Sequence, residues 1–191
     1  GVRADGALPA SVPGGRDLVA LTSADLASVP QPLVARLLSA ERVLTVCHRD
    51  PEADALGSAL GLALALESLG KLVTPVCADP VPAMYDFMPR IDRFRTDPDP
   101  TLDYALIVVG DCGELARVGR VLDEHGELFG RVPIVDIDHH GSNIGFGAVD
   151  WIDPTAAATC EMVTLLLPHL GVPIDAEDGD IAVNLLAGVV I

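Results

Sequence analysis

Positive charge is what this chain lacks first. Twelve Lys and Arg stand against 28 Asp and Glu, a formal net charge of −16 over 191 residues. Binding a long nucleic acid draws affinity from clustered Lys and Arg that displace counterions, so this balance argues against a long strand as partner. An acidic protein can still take phosphates where divalent cations supply the charge. Some of the carboxylates are therefore expected to be ligands, and most of the rest a solvated face. Aromatic residues are scarce, at 4%, so the core must be built from Ala, Leu, Val and Ile. Cys47, Cys77, Cys112 and Cys160 lie far apart with no CxxC pair. That excludes a disulfide framework and implies small buried thiols of a reduced, cytoplasmic protein. Long hydrophobic runs are missing too: the stretch IAVNLLAGVVI is too short to span a bilayer and holds Asn184, so no membrane contact is expected. The opening GVRADGALPASVPGGRD has no apolar signal region and no initiating Met. It reads as a trimmed, flexible leader over residues 1–17.

What is present fits one globular domain. Half the residues are apolar and 21% are charged, a balance that buries a core. RVLTVC (42–47), KLVTPVC (71–77), YALIVVG (104–110) and RVPIVDID (131–138) are short apolar runs, the pattern of strands buried on both faces. Helical patterns occupy LVARLLSA, residues 53–70, 156–171 and 178–191. The second of these is expected to be capped by Asp54 and ended by Gly70, with Gly57 and Gly61 allowing close packing onto a sheet. Residues 78–100 read as loop with one short helix at most. Strands alternating with helices give an α/β fold, a mostly parallel sheet flanked by helices.

Three polar clusters fall at the carboxyl ends of three of these strands. They are His48 with Glu52 and Asp54, then Asp111, then Asp138 with His139 and His140. In an open parallel sheet those ends line the ligand crevice. A site for two metals needs a carboxylate able to bridge ions roughly 3.5–4 Å apart, and Asp111, alone at its strand end, is the natural bridge. Consecutive His139 and His140 do not easily face one ion, so one is expected to ligate and the other to turn to substrate. Carboxylates with imidazole and no thiolate favour Mn²⁺, with Mg²⁺, Co²⁺ or Zn²⁺ admitted. Cys47 and Cys112 adjoin these ligands but read as packing residues. Asn143 reads as a loop stabiliser before a substrate contact, and Arg117 as a loop anchor with a phosphate contact as the alternative. His125 and His169 read as solvated, and Asp150 and Asp153 as turn residues.

The strings HRDPEADALGSALGLALALESLG, GDCGELARVG and DIDHHGSNIGFGAVDWIDPTAAATCEM resemble successive motifs of the DHH family of phosphoesterases. That family includes RecJ-type exonucleases, family II pyrophosphatases and the nanoRNase/pAp-phosphatase branch, and the segment following DHH is most similar to the last. The resemblance runs over residues 30–191 and implies a metal-dependent phosphoesterase with two divalent cations. It implies one metal on His48, Glu52 and Asp111 and the other on Asp54, Asp111 and His139. His140 is implied as the catalytic and substrate-binding residue and Asp138 as the group orienting the histidines, and Asn143 is kept beside them as a candidate substrate contact. The expected substrates are very short RNA, linear dinucleotides or 3′-phosphoadenosine 5′-phosphate. A pyrophosphatase-type or cyclic-dinucleotide-directed hydrolase and a non-catalytic metal-binding module stand as alternatives, and a homodimer is left open. Glu52 stands where the family usually has Asp. Residues 18–191 would then be the metal-binding domain, cut before a last ligand motif and a C-terminal substrate-binding domain.

Overall fold

A computed structural model describes residues 28–191, so the leader expected over 1–17 lies outside the described residues. The apolar runs become β1 (Arg42–Val46), β2 (Leu72–Val76), β3 (Leu106–Gly110) and β4 (Ile134–Asp138), joined by β5 (Val149–Ile152). The helices are α1 (Gln31–Ser39), α2 (Ala53–Ser68), α3 (Arg120–Glu124), α4 (Gly126–Arg131), α5 (Thr159–Leu170) and α6 (Asp180–Val190). The segment 78–100 holds two single 3₁₀ turns, Ala83–Tyr85 and Ile91–Arg93. Asp150 corrects the sequence reading, because it stands within β5 rather than in a turn. Asp153 does form one, accepting from the backbone N–H and hydroxyl of Thr155.

All five strands run parallel in the order β2-β1-β3-β4-β5. Strand order reverses at β1, so a crevice opens beyond the carboxyl ends of β1 and β3. Successive residues point to opposite faces, and both faces are apolar. Val43, Val108, Val135 and Ile137 pack under α1, α2 and α5, while Leu44, Val46, Ile107 and Val109 pack beneath α3 and α4. Each such side chain contributes roughly 1.5–3 kcal/mol on burial, and this double-sided core fixes the strand ends that carry the polar clusters. No helix among the described residues is long and apolar enough to cross a membrane.

Two features of α2 depart from expectation. Glu52, not Asp54, is its N-cap residue, and no side chain caps the helix. Gly57 and Gly61 face α6 rather than the sheet: a Cβ on Gly57 would lie 2.4 Å from the Asn184 carbonyl oxygen, and one on Gly61 would lie 2.8 Å from Leu185. The two glycines let helix approach helix, which seats α6 beside the amino end of α2. Gly70, at φ +82°, ends the helix as expected.

Candidate metal centre

Strand ends and the first turn of α2 set the side chains of the site. β1 delivers His48, which is 1% exposed. Its Nδ1 lies 2.6 Å from the Arg49 carbonyl, and a carbonyl only accepts, so Nδ1 carries the proton. Nε2 is left as a lone-pair donor aimed at Glu52 Oε1 and Asp111 Oδ2, each 3.7 Å away. Burial lowers the imidazole pKa, but the Asp111 carboxylate and the Arg49 carbonyl outweigh it and hold the pKa above its ordinary value.

β3 delivers Asp111, fully buried, with φ at +55°. That left-handed backbone costs an L-residue about 1–2 kcal/mol, and it turns the carboxylate into the crevice. The two oxygens then separate. Oδ2 faces His48, while Oδ1 lies 3.5 Å from His139 Nε2 and accepts from the Thr159 hydroxyl at 3.1 Å. Burial would raise this carboxyl, yet the His48, His140 and His139 rings bring it below the usual carboxylate range.

Asp54 reaches the same place from the first turn of α2. Its oxygens accept from the backbone N–H groups of Thr159 and Cys160, each at 2.8 Å. It thus caps α5, a different helix from the expected one, because the N-cap residue of α5, Ala158, has no side chain able to cap it. Oδ2 also lies 3.6 Å from His139 Nε2. Burial first, then the charge of Asp111, raise the Asp54 pKa against those backbone hydrogen bonds.

The two histidines after β4 lie side by side, with ring centroids 4.6 Å apart and both near Asp111 Oδ1, but differ in their other partners. His139 faces Asp54 and Asp111, whereas His140 Nδ1 is held by Asp138 Oδ1 at 2.7 Å. A carboxylate accepts, so Nδ1 donates and His140 is left with Nε2 for a ligand. Asp138 is fully buried and reaches His140 alone of the two rings. Asn143 is placed as a loop anchor. Nδ2 donates to Asp136 Oδ2 at 2.8 Å and Asp138 Oδ2 at 2.9 Å, while Oδ1 accepts from Gly145 N. Asp136, which the sequence reading passed over, is buried with one oxygen unpartnered among the described residues. Burial lifts its carboxyl to about 7, helped by Asp138 and Asp150 and opposed by Asn143. Thr159 was also missed as a group that orients Asp111.

His48, Glu52 and Asp111 thus form one group and Asp111, His139 and His140 another, with Asp111 common to both and Asp54 joining the second through His139. Two donors about 2.1 Å from one ion lie about 3.0–3.4 Å apart, close to the spacings found. His48 Nε2 and Asp111 Oδ2 are buried with no hydrogen-bond partner among the described residues, an arrangement that fits cation ligands better than a closed polar network. The nearby thiols are withdrawn. All four cysteines are free and buried, and Cys47 Sγ turns towards Val76 O while Cys112 Sγ turns towards Glu114 O. A separate triad, Asp97, Glu124 and His125, holds Arg120 between its carboxylates and is an ion-pair network. There His125 bonds Asp97 rather than standing solvated.

Comparison with known proteins accords with this geometry. The profile of the DHH family, N-terminal domain, matches residues 42–189. The chain is 38% identical over 159 residues to the bifunctional oligoribonuclease and PAP phosphatase NrnA of Thermus thermophilus, covering 82% of this chain and 45% of that protein. The fold superposes on an exopolyphosphatase-related protein from Bacteroides fragilis with a TM-score of 0.71 at 22% identity, covering 87% of this chain and 49% of that one. The chain therefore spans about half the length of the proteins it matches.

Proposed function

We propose, of a chain that belongs to the DHH family by its N-terminal domain, that it carries the two-metal centre of a phosphoesterase acting on small nucleotide phosphates. The observation that carries this reading is the division of Asp111, one oxygen facing His48 and the other His139. His48, Glu52 and Asp111 would hold one cation, and Asp54, Asp111 and His139 the other. The set has oxygen and imidazole donors without thiolate, which favours Mn²⁺ among divalent ions. Bound there, two cations would supply charge stabilisation for phosphoryl oxygens and a lowered pKa for water. The chain's own groups do the rest. Asp138 fixes the ring of His140 so that Nε2 meets a phosphoryl oxygen, as a hydrogen-bond donor whenever that nitrogen is protonated. Thr159 keeps the Asp111 carboxylate from rotating, and the α5 backbone does the same for Asp54.

Very short RNA, linear dinucleotides and nucleoside 3′,5′-bisphosphates are the substrates this reading favours, since the net charge of −16 repels long strands. A non-catalytic metal-binding module is the second reading, favoured by Glu52, whose longer side chain is 62% exposed. One experiment separates them. The full-length gene product containing this chain is incubated with a 5′-phosphorylated diadenylate, with adenosine 3′,5′-bisphosphate and with long single-stranded DNA, in Mn²⁺ and in chelator. Mn²⁺-dependent hydrolysis of the two small substrates is expected. No metal-dependent hydrolysis would leave the non-catalytic reading, and processive digestion of the long DNA would point to a RecJ-like activity.

A further inference from the structure

Two thiols that the metal chemistry leaves unused meet at the carboxyl edge of the sheet. β1 and β2 run in register with Val46 opposite Val76. The ladder continues one residue further, where the N–H of Cys47 donates to the Val76 carbonyl at 3.2 Å. Cys47 and Cys77 are therefore register partners just past the two strand ends. Such partners point to the same face, and both side chains enter one apolar cluster with Ala55, Leu56, Tyr85 and Met88. There the two free thiols are in hydrogen-bond contact with each other. By contrast, Cys112 turns its thiol to the Glu114 carbonyl, and Cys160 turns its own to that of Asp54.

Adjacent strands lie about 4.7–4.9 Å apart, and a disulfide accepts Cα separations of roughly 4.4–6.8 Å. The backbone thus already stands at bridging distance. The Cβ atoms of a disulfide lie closer, about 3.5–4.5 Å apart, so closing the bond draws the two chains together by up to about an ångström here. Cys47 immediately precedes His48 in the chain, and the Cys77 thiol donates to the His48 carbonyl at 3.5 Å. Oxidation would both pull on the residue before the metal ligand and remove that donor. His48 is 1% exposed, so it has no open space in which to absorb the shift.

We propose that Cys47 and Cys77 are a redox pair, oxidised by hydrogen peroxide to a disulfide that weakens cation binding at His48. One sulfur attacks a peroxide oxygen, breaking the O–O bond and leaving a sulfenic acid and one water. The other sulfur attacks the sulfenic sulfur, forming the S–S bond and expelling a second water. Two thiols and one peroxide give one disulfide and two waters, with the sulfurs oxidised and the peroxide oxygens reduced. In a reducing compartment such a bond is transient and serves to sense oxidant. The disulfide follows from the sheet register, whereas its effect on cations rests on the two-metal reading.

The test treats the folded, metal-free full-length gene product with hydrogen peroxide, removes the peroxide, and maps the cysteines by alkylation and mass spectrometry. A Cys47–Cys77 cross-link is expected, with Cys112 and Cys160 recovered as thiols. Mn²⁺ affinity by calorimetry should fall about 10-fold or more, the scale of disturbing a group that orients a metal ligand, and dithiothreitol should restore it. Cys47→Ala, which keeps the Cys77 donor, should bind Mn²⁺ much as the reduced wild type does and be indifferent to peroxide. Saturating Mn²⁺ should in turn disfavour the disulfide in a glutathione buffer by the same factor, since linkage is reciprocal. No cross-link in the wild type, or oxidation that reaches Cys112 and Cys160 equally, overturns the pair. A cross-link that leaves Mn²⁺ affinity unchanged, or a loss of affinity that persists in Cys47→Ala, overturns its coupling to the metal. Reduced protein that forms the cross-link but binds no Mn²⁺ overturns the two-metal reading and leaves the redox pair standing.

Discussion

Replacing Asp136 by Asn should make the protein more stable at neutral pH, although it alters a fully buried polar residue. Asp136 has no exposed surface, one oxygen bonded to Asn143 and the other unpartnered among the described residues. Its carboxyl is lifted from 3.8 to about 7, first by burial. In the unfolded chain the group ionises near pH 4, while in the folded protein it keeps its proton to about pH 7. Between those limits the native state binds the extra proton, so stability falls as pH rises, by roughly 1.4 kcal/mol per unit and a ceiling of roughly 4 kcal/mol. Asn has nearly the same shape, can accept from Asn143, and does not titrate. The variant should match the wild type near pH 4 and exceed it increasingly up to pH 7, with a Tm difference on the order of 10 °C at the ceiling. Urea denaturation from pH 4.5 to 8 in chelator, on both proteins, measures this. A wild-type curve that is flat or rises over that window, with the Asn variant no more stable, would refute the argument and show Asp136 ionised and paired.

Other perturbations separate the roles inside the centre. In the full-length gene product, His140→Ala should leave Mn²⁺ binding nearly intact while lowering turnover by about 10²-fold or more, whereas Asp111→Ala should lose both. Equal loss of metal in calorimetric titrations of the two variants would mean that the adjacent histidines are assigned the wrong way round. Gly188→Ala would put a Cβ 2.4 Å from Cys160 Sγ and 2.8 Å from Asp54 Cα. It should cost about 1–3 kcal/mol and weaken Mn²⁺ binding by displacing Asp54, so unchanged Tm and metal affinity would contradict the packing described. Because the His48 pKa is raised above its ordinary 6.5, protons compete with metal there already near neutrality. Mn²⁺ affinity should climb with pH across that region and level off above it, and a titration series that is flat from pH 6 to 8 would exclude His48 as a ligand.

The strands were legible because β-branched and Leu-rich runs buried on both faces leave a continuous apolar signal, and the polar residues just past them mark the sheet's carboxyl edge. That reading alone put His48, Asp111 and the two histidines together. β5 gave no such signal, since of its four residues only Trp151 is buried and Asp150 interrupts the run. The short helices α3 and α4, split at His125, are too brief for periodicity to reveal. The supports of the site were illegible for another reason: they are long-range. Asp54 caps a helix whose first residue is 105 positions away, and Thr159 reaches Asp111 across 48. Likewise Gly57 and Gly61 signal a close approach, but nothing local says that a helix rather than the sheet makes it.

The account stands most directly on Asp111 as a carboxylate shared by two cations. Crystals of the protein soaked in Mn²⁺ and measured at the manganese absorption edge would locate the ions. Two anomalous peaks roughly 3.5–4 Å apart are expected, one among His48, Glu52 and Asp111 and the other among Asp54, Asp111 and His139. Peaks only at the Asp97, Glu124 and His125 network, or none within reach of Asp111, would contradict it.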